Sequence, residues 1–286
     1  EGEVALLRLI EALDRKENLA LVPNLIYRDG ASVRVNERKA PEPVELLPIP
    51  DFNDLPLDSY LAPARVLPVW ASRGCYWGRC AFCNVGYGES KCFDEQRAER
   101  VADEMTSLAA KHDTRYFFFA DEALSPRMLK SLSVELVRRG ADLDWACCAR
   151  FESGLDGALL RKARQAGCRM LLYGLESGSQ RVLDRMHKGT KLAEAARILR
   201  EGAEAGIWNH IFFFFGFPGE TDEQFMDTYN LLEDLRLDVA HLARYSTRPG
   251  TVADRRMEDD VPDEEKWRRF RMLEDQQARI VGEINA

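Results

Sequence analysis

The sequence predicts an α/β fold, a partial (β/α)6 barrel of the TIM type, on three observations. Six short apolar runs alternate with amphipathic stretches from Val66 onward. None of the runs alternates strictly between apolar and polar, as expected of parallel strands buried beneath helices. The repeat fills roughly 180 residues, whereas an eight-stranded barrel takes ~250. The expected strands are VLPVWAS (66–72), RYFFFA (115–120), LDWACCA (143–149), RMLLYGL (169–175), HIFFFFGF (210–217) and DVAHLARY (238–245).

Helices are expected between them. The segment 94–111 places Val101, Met105, Leu108 and Ala109 on one helix face. Segments 125–139, 156–166, 179–205 (broken at His187–Thr190) and 221–235 follow, with Ser125-Pro126 and Thr221-Asp222-Glu223 as N-terminal signatures. Ahead of the repeat, residues 1–16 read as an amphipathic helix and 24–36 as a hairpin around Asp29-Gly30. Pro41, Pro43, Pro48, Pro50 and Pro56 make 40–57 an extended linker. The expected organisation is a segment 1–62, the tail of an upstream domain missing from this chain, then a core 63–250 and a charged helical extension 251–286.

The chain has 286 residues, 45% of them hydrophobic, enough to bury a large core. No apolar run approaches the ~20 residues of a membrane span, and there is no signal peptide, so no membrane partner is expected. Net charge is −8 and the pI about 5.3, which argues against a broad nucleic-acid-binding face. Two basic clusters, Arg244/Arg248/Arg255/Arg256 and Lys266/Arg268/Arg269/Arg271, are interleaved with acids and read as solvated, salt-bridged surface. Seven cysteines, three of them within nine residues, point to metal or catalysis in a reducing, cytoplasmic compartment rather than to a disulfide scaffold.

Those three are Cys75, Cys80 and Cys83, in SRGCYWGRCAFC directly after the first expected strand. Soft thiolates in a C-x4-C-x2-C spacing select zinc, copper(I) or iron–sulfur. Zinc would take a fourth ligand, with Cys92 or His112 at hand, and a ferredoxin-like cluster would also be fully ligated. Three ligands on a four-iron cluster leave one iron open. Placement after a strand favours a site, because the ends of parallel strands assemble one.

A Cys-x-aromatic-Cys ending after a first strand and followed by βα repeats resembles the radical S-adenosylmethionine (SAM) superfamily over roughly residues 66–245. The resemblance implies a [4Fe–4S] cluster on the three cysteines, SAM as cofactor, reductive cleavage to a 5′-deoxyadenosyl radical, and an electron donor such as flavodoxin or ferredoxin. The first gap is one residue longer than the family's commonest spacing. Phe82 matches an aromatic near adenine. Asp121 and Glu122 stand where the family often places a pair for the SAM amino group, although Asp121 also reads as a helix cap. Glu176 is implied near the ribose, Arg150 near the carboxylate or in a structural salt bridge, and Phe215 and Gly216 against adenine. Lys188 reads as a surface lysine, the pair Cys147-Cys148 as packing one residue inward, and His210 and His241 as packed. Cys92 is expected not to be a ligand.

Two branches compete. Residues 1–212, with LIYRDG, FFFADEAL and YGLESGSQRVLDRMHKGT, resemble cobalamin-associated enzymes, which implies methyl transfer and cobalamin through a domain absent from this chain. Residues 216–286, from GFPGETDEQF onward, resemble methylthiotransferases, which implies tRNA or a ribosomal protein as substrate. A zinc-stabilised α/β binding module is the alternative of another class.

Overall fold

The computed structural model describes residues 2–85, 93–237 and 239–286. The chain forms two compact units that divide at Pro50/Asp51, within the proline-rich stretch. The first holds helix α1 (Glu3–Asp14) and the antiparallel hairpin of β1 (Ile26–Asp29) and β2 (Ser32–Val35), which turns at Gly30.

The second unit carries the repeat. Strand β3 (Val66–Val69) leads into a short strand β4 (Ser72–Arg73), which pairs antiparallel with β5 (Asp94–Glu95). Then come α2 (Ala98–His112), β6 (Tyr116–Phe119), α3 (Pro126–Arg139), β7 (Asp144–Ala149), α4 (Gly157–Gln165) and β8 (Cys168–Glu176). Helices α5 (Gln180–Arg185) and α6 (Leu192–Glu204), strand β9 (Trp208–Phe215), α7 (Asp222–Leu235), β10 (Ala240–Arg244), α8 (Val252–Arg256) and α9 (Asp263–Ile284) complete it. Six strands form one parallel sheet in the order β10-β9-β8-β7-β6-β3. The sheet is open, as a partial barrel requires. Pro68 is tolerated in β3 because that strand lies on the edge.

The expected elements fall within a few residues of those observed. One difference is at 94–97, where an expected helix start is β5 and a connection. Gln96 explains it: its backbone N–H donates to Ala71 O at 2.8 Å and its side chain to Trp70 O at 2.8 Å, tying the chain to the end of β3. Ser125 caps α3 through the Met128 N–H, and Thr221 with Gln224 forms a capping box on α7.

Burial along the strands does alternate. Ile211, Phe213 and Phe215 of β9 are fully buried on the side of α6 and α9, while Phe212 and Phe214 are half-buried on the opposite face. The sheet is thus sealed by helices on one side, and its other face borders a cavity. Among the described residues, no helix is long and apolar enough to cross a membrane.

The charged tail is part of the core. Leu273 and Ile280 of α9 are buried, as are Lys266 and Arg269. Lys266 pairs with Asp259 at 2.6 Å, and Arg269 with Glu220 at 2.8 Å, the latter carboxylate wholly inaccessible. The expectation of a solvated basic surface therefore fails for these two. It holds for Arg268, exposed and paired with Glu265 and Asp222.

Gly167, just before β8, has φ +96°, and a Cβ there would collide with the Leu143 carbonyl oxygen. Its own carbonyl accepts the Trp145 N–H at 2.9 Å, setting the register of β7 on β8. Gly167→Ala should destabilise the chain by about 2–4 kcal/mol, the range for strain at a special backbone conformation plus a backbone clash. A thermal melt checks this, and an unchanged midpoint would count against the register argument.

Candidate active site

Parallel strands place every β-to-α connection at one end of the sheet. There the segments after β3, β6, β7, β8 and β10, with the end of β9, surround a cavity of about 330 Å³. Cys75, Cys80 and Cys83 all line it, together with Phe82, Glu122, Arg150 and Glu176. Cys92 lies outside the described residues.

The cysteine loop is fixed at both ends. Asp121, at the end of β6, accepts the Ala71 N–H at 2.9 Å and the Ser72 hydroxyl at 2.5 Å. On the far side the Ala81 N–H donates to Met186 O, and Ala81 O accepts the Ala253 N–H, each at 2.8 Å. Ala81 also packs with Val182, Met186, Phe217, Tyr245 and Ala253 in a small second core.

Electrostatics sort the thiols. Burial pushes the Cys80 thiol up, but Lys188 and Arg150 oppose it, and the Arg150 guanidinium stands 3.9 Å from the sulfur. A fourth cysteine lines the cavity: Cys148, one residue beyond the wholly buried Cys147, as strand alternation dictates. Burial lifts it to about 11, and here the neighbouring charges, Glu122 and Asp121, are negative and add to the rise. Both thiols are thus raised by burial, but Cys80 has cations beside it that favour its ionised form, whereas Cys148 has only carboxylates.

Glu176 sits at the end of β8 in a left-handed conformation, φ +72°. Its carboxylate accepts the Lys188 ammonium at 2.6 Å, with both side chains about nine-tenths buried. Lys188 is therefore no surface lysine: the turn at His187–Gly189 folds it back into the cavity. Gly174 leaves room, because a Cβ there would strike both partners. Arg150 donates to Lys188 O at 2.5 Å and to Glu152 at 3.2 Å.

Three residues expected at the site do not line the cavity. Asp121 is spent on the Ala71–Ser72 turn, and Ser125 is the helix cap in its place. Phe215 points to the helix side, against Phe225 and Phe270. Gly216 is covered by the stem of Lys266, and its N–H donates to Glu220 at 2.5 Å. Phe214 takes the cavity position and meets Phe82 edge-on at 4.8 Å. His210 and His241 pack together at 4.4 Å on the same face as Phe212, outside the lining.

The donor set suits an iron–sulfur cluster: three thiols of one loop, bordered by two cations, facing enclosed space. Among the described residues, no three His, Cys, Asp or Glu side chains surround a single point closely enough for one metal ion.

A family model described as the radical SAM superfamily matches residues 71–232. An uncharacterized methyltransferase of Pyrococcus horikoshii is 27% identical over 88% of this chain and 55% of its own length. A tRNA-2-methylthio-N(6)-dimethylallyladenosine synthase of Chlorobium phaeobacteroides is 32% identical over 75% of this chain and 50% of its own. The radical SAM methyltransferase TsrM of Kitasatospora setae, solved with tryptophan and a SAM analogue, shares the fold with a TM-score of 0.75 at 24% identity, over 88% of this chain and 52% of that one. A second TsrM structure, holding cobalamin and a [4Fe–4S] cluster, gives 0.72 at 20%, over 88% and 53%. The chain spans about half the length of each of these relatives.

Burial pushes the Asp121 carboxyl up to about 6, from 3.8. Between those values the folded chain keeps a proton that the unfolded chain has lost, so stability falls as pH rises through the window. Asp121→Asn keeps an acceptor for Ala71 and does not titrate. It should lose less stability than the wild type between about pH 4.5 and about pH 7. Melts of both proteins at the two pH values test this, and parallel changes would refute it.

Proposed function

The chain belongs to the radical SAM superfamily, and from that premise we propose that Cys75, Cys80 and Cys83 hold a [4Fe–4S] cluster and that the cavity beside them binds SAM, for methyl transfer or a related modification. The observation that carries the reading is the meeting in one cavity of three cysteines of a single loop with a buried carboxylate–ammonium pair about a hundred residues away. The bound cluster supplies the electron that cleaves SAM to methionine and a 5′-deoxyadenosyl radical, chemistry that belongs to the cofactor.

This chain's residues bind, orient and shield. Arg150 and Lys188 favour the ionised form of Cys80, the form that ligates iron. Glu176 accepts the ribose hydroxyls. Lys188, once released from Glu176, meets the SAM carboxylate, and Glu122 receives its amino group. Phe82 offers an aromatic face to adenine. Leu172, Phe212 and Phe214 form the apolar wall that excludes water from a reactive intermediate. A flavodoxin or ferredoxin is the proposed electron donor.

Methyl transfer is favoured by the match to the Pyrococcus methyltransferase across most of the chain and by the fold shared with TsrM. Cobalamin enters through the second TsrM structure, and no residue of this chain is assigned to it. The match to the Chlorobium enzyme supports a second reading, a methylthiotransferase acting on tRNA. Mass spectrometry of candidate substrates separates the two by the added mass.

Reconstituted anaerobically, the chain should be brown and carry about four irons. Replacing Cys75, Cys80 or Cys83 with Ala should abolish that uptake, whereas Cys148→Ala and Cys92→Ala should retain it. Iron lost equally in the last two would favour a fully ligated cluster. A colourless chain that binds zinc would overturn the proposal.

Glu176→Gln should weaken SAM binding by ~1–3 kcal/mol, the cost of spoiling hydrogen bonds to a charged partner, with iron content intact. Calorimetry or equilibrium dialysis reads this, and unchanged affinity would remove Glu176 from the ribose site.

A further inference from the structure

The residues between Cys75 and Cys80 form a loop that passes Gly78 in a left-handed conformation, φ +56°. Trp77 leaves this loop and reaches the turn between α5 and α6. Its indole N–H donates to His187 O at 3.0 Å. Its six-membered ring lies where a Cβ on Gly189 would be, and Gly189 itself has φ +74°. His187 also adopts a left-handed backbone, φ +53°, without being glycine. Such a conformation persists only where surroundings enforce it, and the indole hydrogen bond is one such restraint.

Arg150 closes the arrangement. Its guanidinium lies over the Trp77 ring at 4.5 Å, donates to Lys188 O at 2.5 Å and reaches toward Cys80 Sγ at 3.9 Å. A guanidinium stacked on indole in a half-buried setting is an attractive contact in its own right. Between them, Trp77, Arg150 and the Ala81 N–H hold all four residues from Met186 to Gly189. The side chain in the middle of that turn is Lys188, the partner of Glu176.

We propose that Trp77 is a positioning residue: it locks the 186–189 turn to the cysteine loop and so sets where Lys188 and Glu176 stand relative to the cluster. The inference rests on the cavity being the SAM site. Trp77 does not itself line the cavity. It acts through the turn, keeping one spacing between the groups that hold iron and the groups that hold the nucleoside and carboxylate.

Three variants test it. Trp77→Ala should weaken SAM binding about tenfold, a loss equal to roughly one hydrogen bond to the turn plus its ring contact. Trp77→Phe keeps a ring for Arg150 and loses the N–H, so it should recover part of that loss. Gly189→Ala forces the same contact apart from the other side and should match Trp77→Ala. Iron content per chain should stay at the wild-type level in all three. In the chain without cofactor, hydrogen exchange at 186–190 should quicken in Trp77→Ala and Gly189→Ala. Full SAM affinity at full iron content, SAM affinity falling only in step with iron, or unchanged exchange at the turn would each overturn the inference. Wild-type chain that takes up iron but binds no SAM would instead fell the reading of the cavity.

Discussion

A parallel sheet cannot be built from hairpins. Each strand must be re-entered from the same end, so the chain returns through a helix every time. In this protein the returning helices cover one face of six strands, and that single constraint shapes the rest. Ile211, Phe213 and Phe215 of β9 vanish beneath the helices, and Phe212 and Phe214 are left to line the space on the other side. The ends that point to a common rim gather residues as far apart in sequence as Cys75 and Tyr245 around one space. No local preference for a pocket is needed. The cavity is what remains when an open, curled sheet is sealed from one side only.

This explains what could be read from the sequence and what could not. Strand runs and helix faces are local periodicities, and five of the six long strands lie where RYFFFA, LDWACCA, RMLLYGL, HIFFFFGF and DVAHLARY stand, give or take a residue or two. The cysteine triplet announces itself because thiolate spacing is also local. Lys188 was hidden because its burial depends on two left-handed residues, His187 and Gly189, and the first is not glycine. Cys148 was hidden because a pair of adjacent cysteines must face opposite ways, and sequence does not say which faces the cavity. Phe215 and Phe214 were exchanged for the same reason: a frame slip of one residue along a strand moves a side chain through the sheet. The adjacent Lys-Gly and Trp-Gly pairs were the available signals, since glycine beside a bulky residue often marks a close approach.

Buried charge is managed in a uniform way. Glu176 has Lys188, Glu220 has Arg269 and the Gly216 N–H, Asp259 holds Lys266, and Arg150 has Glu152 and a backbone carbonyl. Such pairs add little net stability compared with apolar packing, but breaking one leaves an uncompensated charge. Their value is directional. Arg269 ties α9 to the turn after β9 and Lys266 ties it to the segment before it, so a helix that reads in sequence as a charged extension packs into the domain.

The pair of Glu176 and Lys188 has one more consequence, for the ionic strength of the surroundings. A ligand that brings both an ammonium and a carboxylate to this cavity adds one charge of each sign, so the net charge inside is the same before and after. The pair is also shielded by protein rather than by electrolyte, since mobile ions screen buried charges poorly. Uptake of a zwitterion here therefore adds no net charge and responds weakly to added salt, unlike capture by an exposed basic patch. A chain of net charge −8 that relied on long-range attraction would favour cations and repel anions. Short-range exchange of partners inside the cavity frees recognition from the sign of the surface.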